Sequence, residues 1–515
     1  MVTAITTSQR TPFCRGCWWP WLPLLILPAP ACALEWLVQP SLRLRESYTD
    51  NALLAPSGQQ QSDFITEIAP GLALLGNGPR LQVHLDASWR KLVSQRSADS
   101  SRQQLQGAGH ADLIGDWLQL DARASISQHS ISPFGAPAIG DLPSSANHST
   151  VRVASISPVL RHAFRALGTA ELRYTRSQVS SDDALLSSHG DELALQLAGA
   201  PRGGGWNWNA GYEVRRTQDS RLAAQSMERA SAGLRYPFNR SWAGTASAGT
   251  EKESYESGSG SHPRGRFWSV GAVWTPSART SVALSTGRRF FGRTYSLDAR
   301  LLQRHTNWSL QYSEDITTMP AQFLRLGNRD AASLLDQLWR GAYPDAQERR
   351  LRIDAFLRDA GSLGGELGAL NYFSRRYFLQ KQLSLNMARA TPKTTWLASL
   401  HATDRTAQTA SGVDSGILPD IDLASLERTR QLGANSSWQW RASPRDSLRL
   451  DAGYASVRSL SALRRDDNLT LTAGFNRVVQ KNMTASIDVR HTRHHSNRGG
   501  SFRENGMVAT LTMQF

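Results

Sequence analysis

Apolar and polar residues alternate along most of this chain, in blocks of about ten residues set apart by turns. Leu81, Val83, Leu85, Ala87 and Trp89 interleave with Arg80, Gln82, His84, Asp86 and Ser88. The scheme recurs at Trp206, Trp208, Ala210, Tyr212 and Val214. It returns at Leu448, Leu450, Ala452 and Tyr454, and at Leu469, Leu471, Ala473 and Phe475. Period two places each apolar set on one face of a β-strand.

The connections alternate as well. Short turns fall at Gly76-Asn77-Gly78-Pro79, Pro237-Phe238-Asn239-Arg240, Pro276-Ser277-Ala278, Thr391-Pro392-Lys393 and Ser443-Pro444-Arg445-Asp446. Long polar stretches lie between them: Ser127–Ser149, Gln178–His189, Glu251–Arg264, Asp404–Glu427 and Arg493–Arg503. Outer-membrane barrels have short periplasmic turns and longer extracellular loops. A sandwich would be less regular, and the recurring motifs of a propeller are missing. The pattern therefore predicts an all-β fold, a transmembrane antiparallel up-and-down barrel of about 20–22 strands.

One region departs from period two. Across 315–376, Asp330 is placed to cap a helix through Leu334, Leu335, Leu338 and Trp339. After Pro344-Asp345, the residues Ile353, Phe356 and Leu357 keep helical spacing, and Gly361 offers a stop. This predicts a helical hairpin in a long extracellular loop, acting as a lid or a plug. The alternative is one more strand through Leu351, Ile353, Ala355 and Leu357.

The two ends carry export signals. Arg10 and Arg15 precede a short apolar run, Trp18 to Ala29, and Ala31-Cys32-Ala33 is a small-x-small site. Residues 1–33 thus read as a signal peptide cleaved between Ala33 and Leu34, and 34–515 as the barrel. A lipoprotein reading would use Cys32 instead. At the other end Phe515, Met513, Leu511, Ala509 and Met507 alternate with Gln514, Thr512 and Thr510. The terminal Phe515 reads as an assembly signal for the barrel-assembly machinery, and the apolar set as a face for outer-membrane lipid.

Composition agrees. The 515 residues contain three cysteines, Cys14, Cys17 and Cys32, all in the leader, so the mature chain can form no thiolate metal site. Mean hydropathy is −0.40, as expected where every second residue is polar. Net charge is +15. Losing Arg10 and Arg15 leaves about +13, almost all of it arginine. The arginines are spread along the chain without a basic tail or a recognition-helix pattern, which excludes nucleic acid as the expected partner.

If the apolar set faces lipid, the alternate set lines the lumen. Six opposite-charge pairs then sit two residues apart: Asp121/Arg123, Glu171/Arg173, Glu213/Arg215, Asp298/Arg300, Arg449/Asp451 and Asp488/Arg490. Two residues span about 7 Å on one face, so each pair shares the wall. Arg43, Arg45, Arg80, Arg90, Arg152 and Arg235 are read as inward without an acid at that spacing. Their surplus predicts a lumen that prefers anions. A ladder of wall ion pairs that merely satisfies charge is the competing view.

No enzyme chemistry is evident. His494 and His495 are adjacent, so on a strand they point to opposite faces, and with His491 they do not make a metal site. No Gly-x-Ser-x-Gly elbow marks a nucleophile, although a hydrolase could assemble its residues from separate strands. Gly203-Gly204-Gly205 reads as a turn, with no helix after it to receive a phosphate. No cofactor is expected.

The start of the predicted mature chain reads Leu44-Arg45-Glu46-Ser47-Tyr48-Thr49-Asp50-Asn51-Ala52-Leu53-Leu54-Ala55-Pro56, then Ser62-Asp63-Phe64-Ile65-Thr66 and Ala69-Pro70-Gly71-Leu72. This stretch resembles the family of PEP-CTERM system-associated outer-membrane β-barrel proteins. The resemblance implies a barrel that works with exosortase and exopolysaccharide systems, with anionic exopolysaccharide and periplasmic export components as partners. It supplies no catalytic residues. Thr49-Asp50-Asn51 is expected to help close the barrel.

Overall fold

The computed structural model describes residues 35–135, 142, 147–164, 168–182, 186–199, 205–219, 224–255, 262–324, 372–414 and 420–515. It also describes 335–340, 343, 345, 349, 350, 352 and 353. The expected leader and Ala33/Leu34 junction, and Asp330, Leu334, Leu351, Ala355, Phe356, Leu357 and Gly361 of the expected hairpin or its alternative, lie outside these residues.

The period-two blocks form 22 antiparallel strands in a closed ring. In chain order they are β1 (Glu35–Thr49), β2 (Asp63–Asn77), β3 (Leu81–Ser94), β4 (Ser100–Ile114), β5 (Leu118–Ser130), β6 (His148–Phe164) and β7 (Gly168–Ser181). Next come β8 (Ser187–Gly199), β9 (Asn207–Asp219), β10 (Gln225–Pro237), β11 (Trp242–Glu253), β12 (Arg264–Ser277), β13 (Thr280–Arg289), β14 (Gly292–Leu302) and β15 (Thr306–Thr318). The ring ends with β16 (Tyr377–Ala390), β17 (Thr394–Ala407), β18 (Arg428–Arg441), β19 (Asp446–Ser459), β20 (Arg465–Gln480), β21 (Met483–Ser496) and β22 (Phe502–Gln514). Each strand pairs with its neighbours in sequence, and β1 pairs with both β2 and β22. No edge strand remains, which is what a lipid-exposed sheet requires, although β14 and β15 pair only from Leu297–Leu302 to Asn307–Tyr312.

The Thr49-Asp50-Asn51 stretch ties the seam at its extracellular end. Thr49 Oγ1 donates to Glu504 Oε1 at 2.9 Å, the Asp50 carboxylate accepts from the Asn505 backbone and side chain at 2.7 Å each, and Asn51 Nδ2 donates to Arg503 O at 3.0 Å. Phe515 closes the other end, its backbone N–H donating to Pro40 O at 2.9 Å.

Lipid-facing side chains are apolar in the middle of each strand and aromatic near both ends. Trp36, Trp208, Trp242, Trp274, Trp308, Trp396 and Trp440 ring the short-turn end, all exposed. Tyr48, Phe64, Trp89, Trp268, Tyr295 and Tyr454 ring the other. Two aromatic girdles around an apolar band are the mark of a membrane barrel, with the short-turn end periplasmic.

Several expected loops are shorter than the sequence suggested, because β5, β6, β7 and β8 run on above the apolar band. The long exception remains. Helix α1 (Met319–Leu324) follows β15 directly, residues 335–339, 349, 350, 352 and 353 are helical, and β16 pairs with β15 without an intervening strand. Of the alternative strand Ile353 is helical, while Leu351, Ala355 and Leu357 lie outside the described residues.

Candidate functional site

The site is the lumen, built by the inward half of each strand. All six pairs read from the sequence face it, since cross-strand partners share a face and the register links them round the ring. Four of the pairs bond along their own strand: Glu171–Arg173 at 3.4 Å, Glu213–Arg215 at 3.0 Å, Asp298–Arg300 at 3.4 Å and Arg449–Asp451 at 2.9 Å. The shorter contacts often run between strands. Arg173 reaches Asp121 at 2.8 Å, Arg215 reaches Glu192 at 2.8 Å, Arg449 reaches Asp488 at 2.8 Å and Arg490 reaches Glu504 at 2.8 Å. Asp121 also binds His110 Nδ1, at 2.8 Å, and Arg123 lines the wall beside it.

The six arginines expected to be unpaired divide differently. Arg43, Arg45, Arg90 and Arg235 do face inward. Arg45 and Arg90 both hold Glu67, at 3.4 and 2.5 Å, and that carboxylate is almost fully buried between them. They are a charge triad spread over β1, β2 and β3, invisible at i,i+2. Arg235 is exposed near the periplasmic end and makes no ion pair among the described residues. Arg80 is not on the wall at all; it lies in the turn before β3. Arg152 faces outward and binds Asp182 at 2.6 Å. The reason is that its neighbours Val151 and Val153 point into the lumen against an apolar cluster, which reverses the usual apolar-out rule on that strand.

That cluster closes the extracellular mouth. Met319 and Phe323 of α1 join Tyr372, Phe373 and Phe378 before and on β16, with Val151 of β6, Val179 of β7 and Val457 of β19. Phe134 from the β5–β6 connection, Leu186 from β7–β8, and Leu423 and Leu426 at α2 (Asp420–Ser425) complete it. Strands β8 to β15 separate β7 from β16 on the shorter arc, so the cluster bridges walls that stand nearly opposite. Polar ties cross the same gap. Arg375 Nε meets Asp219 Oδ1 at 3.1 Å, Gly135 N donates to Asp466 Oδ2 at 3.0 Å, and Arg464 stacks on Phe134 at 4.7 Å. Burial pushes the Asp414 carboxyl above its ordinary range, although Ser374 Oγ and Arg375 N donate to it at 2.6 and 2.7 Å.

The insert does not stop at the mouth. Leu335 and Ile353 are buried together and pack with Trp339 against Leu397. Leu397 lies three residues into β17 from its periplasmic turn, ten residues from Ala407 at the mouth, a strand length of about 34 Å. Tyr343 Oη accepts from Arg441 Nη2 at 3.3 Å, and Arg441 ends β18 beside the periplasmic turn. Asp336 holds Arg349 at 2.7 Å and Arg340 at 3.0 Å, while Arg349 also donates to Tyr343 O at 2.7 Å. The described residues between β15 and β16 therefore lie both at the mouth and deep in the lumen, as a plug. Helical spacing revealed the hairpin; nothing in the spacing revealed its depth.

Two histidine groupings can be placed. His494 faces inward, stacked on Phe502 at 5.1 Å and bonded to Asn468 at 2.7 Å, whereas His491 faces outward and bonds Asn505 at 2.7 Å. Ser127 Oγ lies 2.9 Å from His129 Nε2, but Phe323 packs edge-on against that imidazole at 4.9 Å, and no carboxylate is bonded to its other nitrogen among the described residues. Such a dyad has no orienting acid and no open approach.

Ring closure, lipid band, girdles and terminal strand define an outer-membrane β-barrel with an occupied lumen. No family model matches the chain, and no curated protein does. Among solved structures, the siderophore receptor PirA from Pseudomonas aeruginosa is similar at 10% identity and a TM-score of 0.46, over 93% of this chain and 80% of that one. The FrpB iron transporter from Neisseria meningitidis is similar at 7% identity and a TM-score of 0.48, over 93% and 81%. Pseudomonas aeruginosa OpdK with vanillate is similar at 10% and 0.34, over 93% and 99%. At these values the likenesses carry no functional argument, and the barrel stands on its own closed ladder.

Proposed function

We propose that this barrel is a gated conduit of the outer membrane that serves the passage or secretion of an exopolysaccharide. The observation that carries the reading is the plug. It is held to the wall by side-chain packing and ion pairs, while the hydrogen-bonded ladder closes without it, Thr318 pairing directly with Tyr377. A cover of that kind can move while the barrel stays intact. The exopolysaccharide follows from the resemblance of residues 44–72, with periplasmic export components as expected partners. Preference for an anionic polymer finds less support, because Arg45 and Arg90 share Glu67 and Arg152 lies outside. A permanently closed structural barrel is the second reading, favoured by the buried Arg375–Asp219 tie across the mouth.

Planar-bilayer conductance separates them. The parent should be silent or open rarely. Excising 319–376 and joining Thr318 to Tyr377 through a short turn should give a folded barrel with a steady current. In cells, the intact gene should be needed for polymer at the surface. A deletion that conducts while polymer export never depended on the protein would favour the structural reading.

A further inference from the structure

We propose that the outward arginines around the extracellular rim bind the phosphate groups of a glycolipid in the outer leaflet. The register sets like charges side by side there. Arg288 stands directly opposite Arg293, Arg493 opposite Arg503, and Arg430 opposite Arg458, which in turn stands opposite Arg465. All face the lipid side and are exposed. Asp404 and Asp467 hold Arg430 and Arg465 at 2.7 and 2.8 Å. Arg288, Arg293 and Arg458 have no ion pair among the described residues, so the described carboxylates leave part of the rim unbalanced.

Directly opposed like charges destabilise an antiparallel pair unless something neutralises them. The lumen shows how the protein does so when it must: Arg90 opposes Arg102, but Arg90 is held by Glu67 and Arg102 donates to the carbonyl of Leu142. Arg288, Arg293 and Arg458 have no such acceptor among the described residues, so the anion that balances them would come from outside. Its source follows from position. Arg288 stands opposite Trp268, Arg293 lies two residues beyond Tyr295, and Arg458 four beyond Tyr454 on the lipid-facing rows, at headgroup height. The side chains lie on the outward face of their strands, not on the lumen face. At the periplasmic end the same face carries tryptophans instead. Arg389 and Arg477 also lie on that face near the short turns, but each stands opposite a non-basic residue, so among the described residues opposed outward arginines occur only at the extracellular end. This suits a membrane whose outer leaflet alone is built of phosphorylated glycolipid. Opposed residues lie about 5 Å apart, close enough for one phosphate to take hydrogen bonds from two guanidinium groups.

The test uses the full-length barrel in neutral detergent, with thermal unfolding and retained glycolipid as readouts. The probes are bis-phosphorylated lipid A, the same lipid dephosphorylated, inorganic phosphate and a soluble anionic polysaccharide. Lipid A should raise the unfolding midpoint of the parent, and the dephosphorylated lipid should not. R288Q/R293Q and R458Q should each weaken lipid A binding about tenfold. Without lipid A both variants should unfold no earlier than the parent, since opposed charges have been removed. Unchanged binding by the variants, an equal response to dephosphorylated lipid or inorganic phosphate, or displacement by the soluble polymer would overturn the proposal. So would variants that unfold earlier in neutral detergent, because the arginines would then be structural.

Discussion

The two faces of one wall handle the same residue in opposite ways. On the lumen side arginine meets carboxylate, as Arg45 and Arg90 meet Glu67, Arg490 meets Glu504 and Arg289 meets both Glu251 and Asp315 at 2.7 Å. On the lipid side arginine meets arginine, as at Arg288/Arg293 and Arg458/Arg465. A charge boxed in by a plug and a protein wall has poor access to water, and leaving it alone is expensive. A charge on the rim reaches solvent and headgroups. The chain's positive surplus therefore sits outside, where an anion can be supplied, and the inner wall is built for pairing more than for attracting anions.

Breaking one inner pair should produce the largest effect. Glu67→Gln leaves two guanidinium groups beside a buried neutral amide and should cost about 3–5 kcal/mol, read as a lower denaturant midpoint. The outer counterpart, Arg458→Gln, changes an exposed side chain with no ion pair among the described residues, so it should stay within about 0.5 kcal/mol in neutral detergent. If both substitutions cost the same, the contrast between the faces is wrong.

The mouth comes next. Phe323 is 4% exposed, 5.9 Å from the Phe373 ring and 4.9 Å from His129. Phe323→Ala should loosen the bridge between opposite walls by about 3 kcal/mol but leave the ladder alone. Brief openings in single-channel records and faster protease cleavage between β15 and β16 should appear without a shift in barrel unfolding. Loss of the folded barrel would mean that the cluster supports the ladder itself.

What the sequence disclosed follows the same division. Alternation alone located the strands, the lipid face and the i,i+2 wall pairs, because period two is a local property, whereas the closing role of Thr49-Asp50-Asn51 was expected only with the resemblance of that stretch. Cross-strand partners depend on register and stayed hidden: Glu67 is 22 residues from Arg45 and 23 from Arg90. Arg152 was misplaced for a related reason. Its apolar neighbours are buried by a plug from a distant segment, not by lipid, and alternation cannot tell those two environments apart. The rim had a signal that went unused: Arg288, Arg293 and Arg458 share parity with the lipid-facing apolar set of their own strands.

The smallest effect concerns how the plug itself is held. Burial pushes the Asp336 carboxyl up, but hydrogen bonds from Arg349 and Arg340 outweigh it and hold the group below its ordinary value of 3.8. A depressed carboxylate contributes its stability in full above the ordinary value and loses it as pH falls through the lowered one. Acidification from neutral pH to about 4 should therefore leave the hairpin closed, and opening should rise only below that. Asp414 has the opposite sense: burial raises it, so its protonated form is favoured in the fold, and acid should not loosen the contacts it makes with Ser374 and Arg375. Asp336→Asn should show the acid-type opening already at neutral pH and change little on acidification. The effect should be modest, since the Asp336 side chain is about one-third exposed and water screens the pair. Protease sensitivity at the hairpin, compared with that beside Ser374, reads the two sites separately. A parent that opens first beside Ser374 as pH falls would show that the mouth, not the buried hairpin, is the acid-sensitive part.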